Sequence, residues 1–189
     1  MSDDKLEADL RMLGLNFMAE HYNQSAAAAA RDAINHADYL AGLARGELGQ
    51  RRDRATIRRI KSARFPVVKT IDQFSWSWPK KINRMAVQNL FRLQFLEDNA
   101  NIILLGTVGL GKTHLATALG YTACLAGKSV LFATAVDAIN TLAAAQAASK
   151  LKAELKKYLY PQILILDELG YLAYIEYWNS KLKQLTIST

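Results

Sequence analysis

Along the first 65 residues the apolar positions fall three and four apart, the spacing of a single helix face. Leu6, Leu10, Leu13 and Phe17 make one such stripe, and Ile34, Tyr39, Leu40 and Leu43 supply a second. Asn23-Gln24-Ser25 separates them, and the five alanines from Ala26 favour helix over linker. Gly46 and Gly49 are predicted to loosen the chain before a basic helix over residues 50–63, with Ile57 and Ile60 as its apolar positions. Phe65-Pro66 closes the helical region, because a residue before proline is steered away from helix. A linker or docking arm runs on through Pro79, with Phe74, Trp76 and Trp78 alternating. Packing onto a neighbouring surface is the reading favoured for these rings, with stacking on a nucleotide base as the alternative. Residues 85–96 read as helix and 97–100 as a turn.

From residue 101 the pattern changes to alternating strand and helix, which predicts an α/β domain with a parallel sheet. Short apolar runs place strands at 101–105, 129–133 and 162–167. A helix is expected over 112–126, with Gly127 in the position that ends it. Thr134 and Asp137 have capping-box spacing and open helical structure to about residue 158, before Pro161 breaks it.

Charge alters this picture in one place. The net charge is +7, yet residues 51–92 hold twelve Lys or Arg against Asp53 and Asp72, a net +10, so the remainder carries −3. So dense a block predicts a polyanionic partner in preference to a merely solvated helix face. The amino terminus is polar and acidic and predicts no secretory leader, and no run approaches the ~20 apolar residues of a membrane span. The lone cysteine, Cys124, suits a reducing cytoplasm and is expected to be buried rather than reactive. His21 and His36 have no neighbouring cysteines or carboxylates that would suggest a metal site.

The chemistry concentrates at residues 106–113, Gly106-Thr107-Val108-Gly109-Leu110-Gly111-Lys112-Thr113, between a predicted strand and a predicted helix. Glycines let backbone N–H groups close around phosphate oxygens, and the helix start adds the positive end of its dipole. Thr107, Val108 and Leu110 contribute only their N–H groups. Lys112 is placed to reach the β- and γ-phosphates of a nucleoside triphosphate, and the Thr113 hydroxyl to ligate Mg²⁺. His114, on the same first turn, is grouped with the nucleotide site as a packing residue rather than a catalytic one. Asp167 ends an apolar strand, where its carboxylate would hold Mg²⁺ through water. Glu168 is then positioned to polarise an attacking water as a general base.

Several stretches together resemble the IstB family of AAA+ helper ATPases of insertion-sequence transposition, relatives of the DnaC helicase loaders. They are Gly111-Lys112-Thr113-His114-Leu115-Ala116, Leu125-Ala126-Gly127-Lys128-Ser129-Val130, Tyr160-Pro161, and Leu166-Asp167-Glu168-Leu169-Gly170-Tyr171-Leu172. Residues 63–70 also resemble that family's link between its helical and ATPase parts. The likeness covers roughly residues 1–172. It implies an ATP-dependent homo-oligomer that engages duplex DNA without sequence specificity, here through residues 51–92, and delivers a transposase. The implied organisation is a helical, basic DNA- or partner-binding domain (1–65), a linker and docking helix (66–100), a partial ATP-binding domain (101–172) and a divergent tail (173–189).

Beyond residue 172 the motif resemblance stops, and no arginine occurs after Arg92, so a downstream sensor arginine or arginine finger is absent from this polypeptide. The family's strand order, 5-1-4-3-2 by resemblance, would set a fourth strand between the loop strand and the Asp167 strand. The expectation is a C-terminally truncated copy with impaired hydrolysis, its sheet open at that slot or filled by the tail near 174–178. Two alternatives remain open: a DnaC-like helicase loader, and a non-catalytic remnant that still binds DNA or a transposase.

Overall fold

The computed structural model describes residues 3–77 and 82–169; Trp78, Lys80, Lys81 and the tail, including the expected strand near 174–178, lie outside them. The chain forms two compact units that meet between Arg58 and Arg59.

The first unit is helical: α1 (Asp3–Met12), α2 (Asn16–Arg31) and the greater part of α3 (His36–Ser62). Its breaks differ from those expected. The stripe from Leu6 to Phe17 is divided at Gly14, whose φ of 71° turns the chain between α1 and α2. Helix α2 runs straight through Asn23-Gln24-Ser25, since each of these residues costs only a fraction of a kcal/mol in a helix, roughly 0.7 or less. It stops instead at Ala33 (φ 52°), and the Asn35 side chain then accepts from the Asp38 N–H at 2.9 Å to start α3.

Gly46 and Gly49 do not loosen α3, which is one helix of 27 residues. Gly46 has a packing reason to lack a side chain. The Phe17 ring occupies the space a Cβ would need, and that ring stacks on His21 with centroids 4.1 Å apart.

The second unit begins with the last turn of α3 and holds α4 (Arg84–Leu90), α5 (Lys112–Leu125), β1 (Val130–Thr134), α6 (Ala135–Ala147), α7 (Leu151–Leu159) and β2 (Ile163–Asp167). The two strands pair in parallel, Val130 opposite Ile163 through Thr134 opposite Asp167. A parallel pair needs a long crossover, and α6 and α7 provide it. Thr134 caps α6, accepting from the Asp137 N–H at 3.1 Å. The helical stretch expected to run to residue 158 is interrupted at Ser149 (φ 56°). The helix expected over 85–96 is likewise cut short, by a left-handed Leu93 (φ 60°).

The core lies where α5 covers the sheet. Ala63, Ala123, Cys124 and Val130 are its most buried members, with Ile60, Phe65, Leu93, Ile163 and Ile165 packed around them. Two hydrogen bonds join the end of α3 to it: the Phe132 N–H donates to the Ala63 carbonyl at 2.8 Å, and the Arg59 side-chain Nε to the Cys124 carbonyl at 3.1 Å. Helix α5 ends as expected, with Gly127 left-handed (φ 85°) and the Lys128 N–H closing onto the Ala123 carbonyl.

One expected element is not formed. Residues 101–105 carry no strand ladder, and the sheet of the described residues is β1 beside β2 alone. A strand is defined by hydrogen bonds to a neighbour, and the only described partner of β2 is β1. Sheet strands 2 and 3 of the implied order are therefore adjacent, while the segment feeding the loop has no described strand beside it. Ile103 is 76% and Leu105 89% exposed, with Ile102 and Leu104 half-buried between them. The exposure alternates as along a strand, but the pairing that would make it one is not present among the described residues.

Candidate functional site

The loop leads directly into α5. Gly111 is the N-cap, with φ 80° and ψ 20°, a left-handed conformation that glycine adopts without Cβ strain. Gly109 is also left-handed (φ 83°), with open space where a Cβ would stand. The first intrahelical bond runs from the Leu115 N–H to the Gly111 carbonyl. The N–H groups of Lys112, Thr113 and His114 therefore precede the helical ladder, as an anion-binding helix start requires. Loop residues 106–109 are exposed.

The Lys112 side chain folds back over the loop, its Nζ donating to the Thr107 carbonyl at 2.8 Å. Thr113 and Asp167, fifty-four residues apart, meet directly: the threonine hydroxyl donates to Asp167 Oδ2 at 2.6 Å. The other carboxylate oxygen accepts from the Glu168 N–H at 3.0 Å. Glu168 itself is exposed and left-handed, with φ 60°. The fold thus gathers the loop, the first turn of α5 and the end of β2 into one place.

Tested against a bound nucleotide and cation, these groups fit. Two left-handed glycines and a helix start offer a cradle of N–H groups for phosphate, and Lys112 brings a cation to its rim. Thr113 and Asp167 present hard oxygen donors of the kind Mg²⁺ takes. Among the described residues no group of three His, Cys, Asp or Glu could hold a metal ion by itself. A cation here would complete its shell with phosphate oxygens and water, the usual habit of Mg²⁺ at nucleotide sites.

Other contacts at the site have no clear signature in the sequence. Thr70 and Phe74, from the arm before α4, reach the start of α5. The Thr70 carbonyl accepts from His114 Nε2 at 2.9 Å, and the Phe74 ring meets that imidazole edge-on with centroids 5.4 Å apart. His114 is accordingly a packing residue that also donates. Phe74 meets Trp76 edge-on, and the Arg84 guanidinium lies 4.9 Å from the Trp76 ring centroid. The packing reading of these aromatics describes Phe74, which is buried. Trp76 is half-buried and helps line a shallow depression with Ile71, Asp72, Arg84, Gln88 and Phe91. The alternating aromatics mark the arm in the sequence, but not its contact with the start of α5.

Gly120, one face further along α5, admits Ile165 and the Phe65 ring, whose atoms would lie 2.7 and 2.9 Å from a Cβ there. Cys124 is fully buried, and that burial pushes its thiol pKa up despite the nearby Arg59 charge, which keeps it out of the chemistry.

Comparison with known proteins agrees with this geometry. A family model described as "IstB-like ATP binding protein" matches residues 8–185. The chain is 39% identical over 168 residues to the protein of insertion sequence IS21 from Pseudomonas aeruginosa that is named as ATP-binding, covering 89% of this chain and 63% of that one. The corresponding protein of insertion sequence IS5376 from Geobacillus stearothermophilus is 34% identical, covering 85% of this chain and 64% of the relative. For that of IS232 from Bacillus thuringiensis subsp. berliner the figures are 32%, 90% and 68%. The chain thus spans less than two thirds of the length of the first two. No helix of the described residues is long and apolar enough to cross a membrane. With a P-loop-type α/β domain, the loop and Asp167 side by side, and a family match over nearly its whole length, the chain belongs to the IstB-like ATP-binding protein family.

Proposed function

We propose that this chain binds ATP with Mg²⁺ at Gly106–Thr113 and Asp167, and serves as a helper protein in insertion-sequence transposition. The observation that carries the reading is the direct Thr113–Asp167 hydrogen bond, which brings together the two groups a nucleotide-bound cation needs. The relatives named as ATP-binding proteins of insertion sequences support the setting. Bound Mg²⁺ would neutralise charge on the phosphates. In the same reading Lys112 binds the phosphates, the N–H groups of residues 112–114 orient them, and Glu168 stands ready to accept a proton from water. The test is nucleotide titration with and without Mg²⁺. The unaltered chain should bind ATP about tenfold more tightly with Mg²⁺, and Asp167→Asn should bind equally in both conditions. An Mg²⁺ response that survives in Asp167→Asn would remove Asp167 from the site.

Impaired hydrolysis is part of the same reading. It is supported by the segment that delivers the loop, residues 101–105, which has no strand neighbour among the described residues.

Duplex DNA is the partner proposed for α3, with a transposase as the protein partner and ATP-dependent self-assembly as the working form. From Arg51 onward the arginines of α3 divide into two groups. Arg51 is engaged with Glu47 and the Gly14 carbonyl, and Arg59 with the Cys124 carbonyl. Arg52, Arg54 and Arg58 are exposed and lie toward solvent. Replacing Arg54 and Arg58 together by Ala should weaken DNA binding equally across sequences. It should also reduce the slope of log K against log salt by about 2, one phosphate contact each. An unchanged slope in fluorescence anisotropy titrations would move the DNA surface elsewhere.

A further inference from the structure

The loop's last glycine is held from behind. A Cβ on Gly111 would lie 2.7 Å from Phe74 Cε2, whereas nothing stands within 4 Å of the same position on Gly109. Phe74 is 6% exposed and is presented by a turn that fixes itself. The Thr70 N–H donates to Gln73 Oε1 at 3.2 Å, the Gln73 N–H to the Thr70 carbonyl at 3.2 Å, and the Phe74 N–H to the Ile71 carbonyl at 3.0 Å. The same Thr70 carbonyl accepts from His114, so the imidazole must carry its proton on Nε2. Two links therefore tie this turn to the start of α5: a ring against Gly111 and a hydrogen bond to His114.

A left-handed glycine at the head of a helix is the most mobile joint in such a loop, and fixing it on binding costs conformational entropy. A joint already fixed spares that cost and binds more tightly with no added contact to the ligand. We propose that Phe74 and His114 are positioning residues of the phosphate site. They hold Gly111 and the first turn of α5 in the shape that aims the N–H groups of residues 112–114, so the turn over residues 70–74 sets affinity for the triphosphate without touching it. This inference rests on the ATP-binding reading above.

The experiment uses the full chain and two probes, a non-hydrolysable ATP analogue and inorganic tripolyphosphate, which has no base. Phe74→Ala should weaken both about tenfold and by the same factor. His114→Ala should do likewise, while His114→Gln, which keeps an N–H donor near the Thr70 carbonyl, should recover most of the loss. Val130→Ala, a core change away from the loop, controls for lost stability and should weaken neither probe. If Phe74→Ala fails to fold, the His114 pair decides. A loss confined to the nucleotide, with tripolyphosphate unaffected, would mean that Phe74 serves the base and would overturn the proposal. So would binding of both probes within twofold of the unaltered chain in both alanine variants. Failure of the unaltered chain to bind either probe would instead bring down the ATP-binding reading itself, and this proposal with it.

Discussion

Lys112→Ala is expected to lower ATP affinity roughly 100-fold while leaving the fold almost untouched. The ammonium group lies across the loop on the Thr107 carbonyl, at the rim of the N–H cradle. Losing a cation paired with phosphate in such a site costs about 3 kcal/mol, and each 1.4 kcal/mol is a factor of ten. The same side chain contributes little to folding, because its hydrogen bond among the described residues is to an exposed loop carbonyl. Calorimetric titration should show the affinity loss, and the melting temperature should move by no more than a degree or two. Lys112→Arg should not restore binding, since a planar, longer fork does not replace a point charge at the end of a four-carbon stem. Unchanged affinity in Lys112→Ala would mean that phosphate binds elsewhere.

The second large effect is expected in the helical unit. Glu47, in the middle of α3, is 4% exposed and caps the start of another helix. Its Oε2 accepts from the Phe17 N–H at 2.8 Å and the Met18 N–H at 3.4 Å, while Arg51 Nε donates to Oε1 at 3.0 Å. Helix α2 needs this help because its N-cap residue is Leu15, which has no side-chain oxygen to offer. Glu47→Ala removes an acceptor and leaves two N–H donors short of partners, for a destabilisation of about 3 kcal/mol. The urea midpoint should fall accordingly.

The pH dependence has a definite sign. Burial pushes the Glu47 carboxyl pKa up, but the Arg51 hydrogen bond, the Met18 and Phe17 N–H groups and the Arg51 charge together outweigh it and hold the pKa below the ordinary range. A carboxyl depressed in the folded state stabilises fully above its unfolded value, about 4.3, and loses that contribution as pH falls through the folded value. The stability gap between the unaltered chain and Glu47→Gln should therefore narrow on acidification below pH 5. A gap that stays constant down to pH 3 would remove the carboxylate charge from the explanation.

Where the sequence could be read well, the signals were local. Gly127 ends α5 and Thr134 caps α6 because their partners lie three to five residues away in the chain, so spacing alone encodes the contact. The phosphate loop is legible for the same reason: its glycines and Lys112 act through their own backbone and immediate neighbours. Helix breaks were read less well. Gly46 looks like a weak point by propensity, yet it sits inside a 27-residue helix because the Phe17 ring needs the space a side chain would take. Propensity costs of about 1 kcal/mol are routinely overridden by packing of that kind.

The site shows the same division. Sequence alone determined that this chain carries a glycine-rich loop ending in Lys112 and Thr113 and an acidic pair, Asp167-Glu168, at the end of an apolar run, because both are written in short contiguous motifs. Tertiary structure alone decided that Thr113 touches Asp167, that Phe74 and Thr70 hold the loop's last turn, that Glu47 caps a helix thirty residues away, and that residues 101–105 stand without a described strand neighbour. Each of these depends on which distant groups the fold brings within hydrogen-bonding or van der Waals range, and a strand exists only when another supplies its ladder.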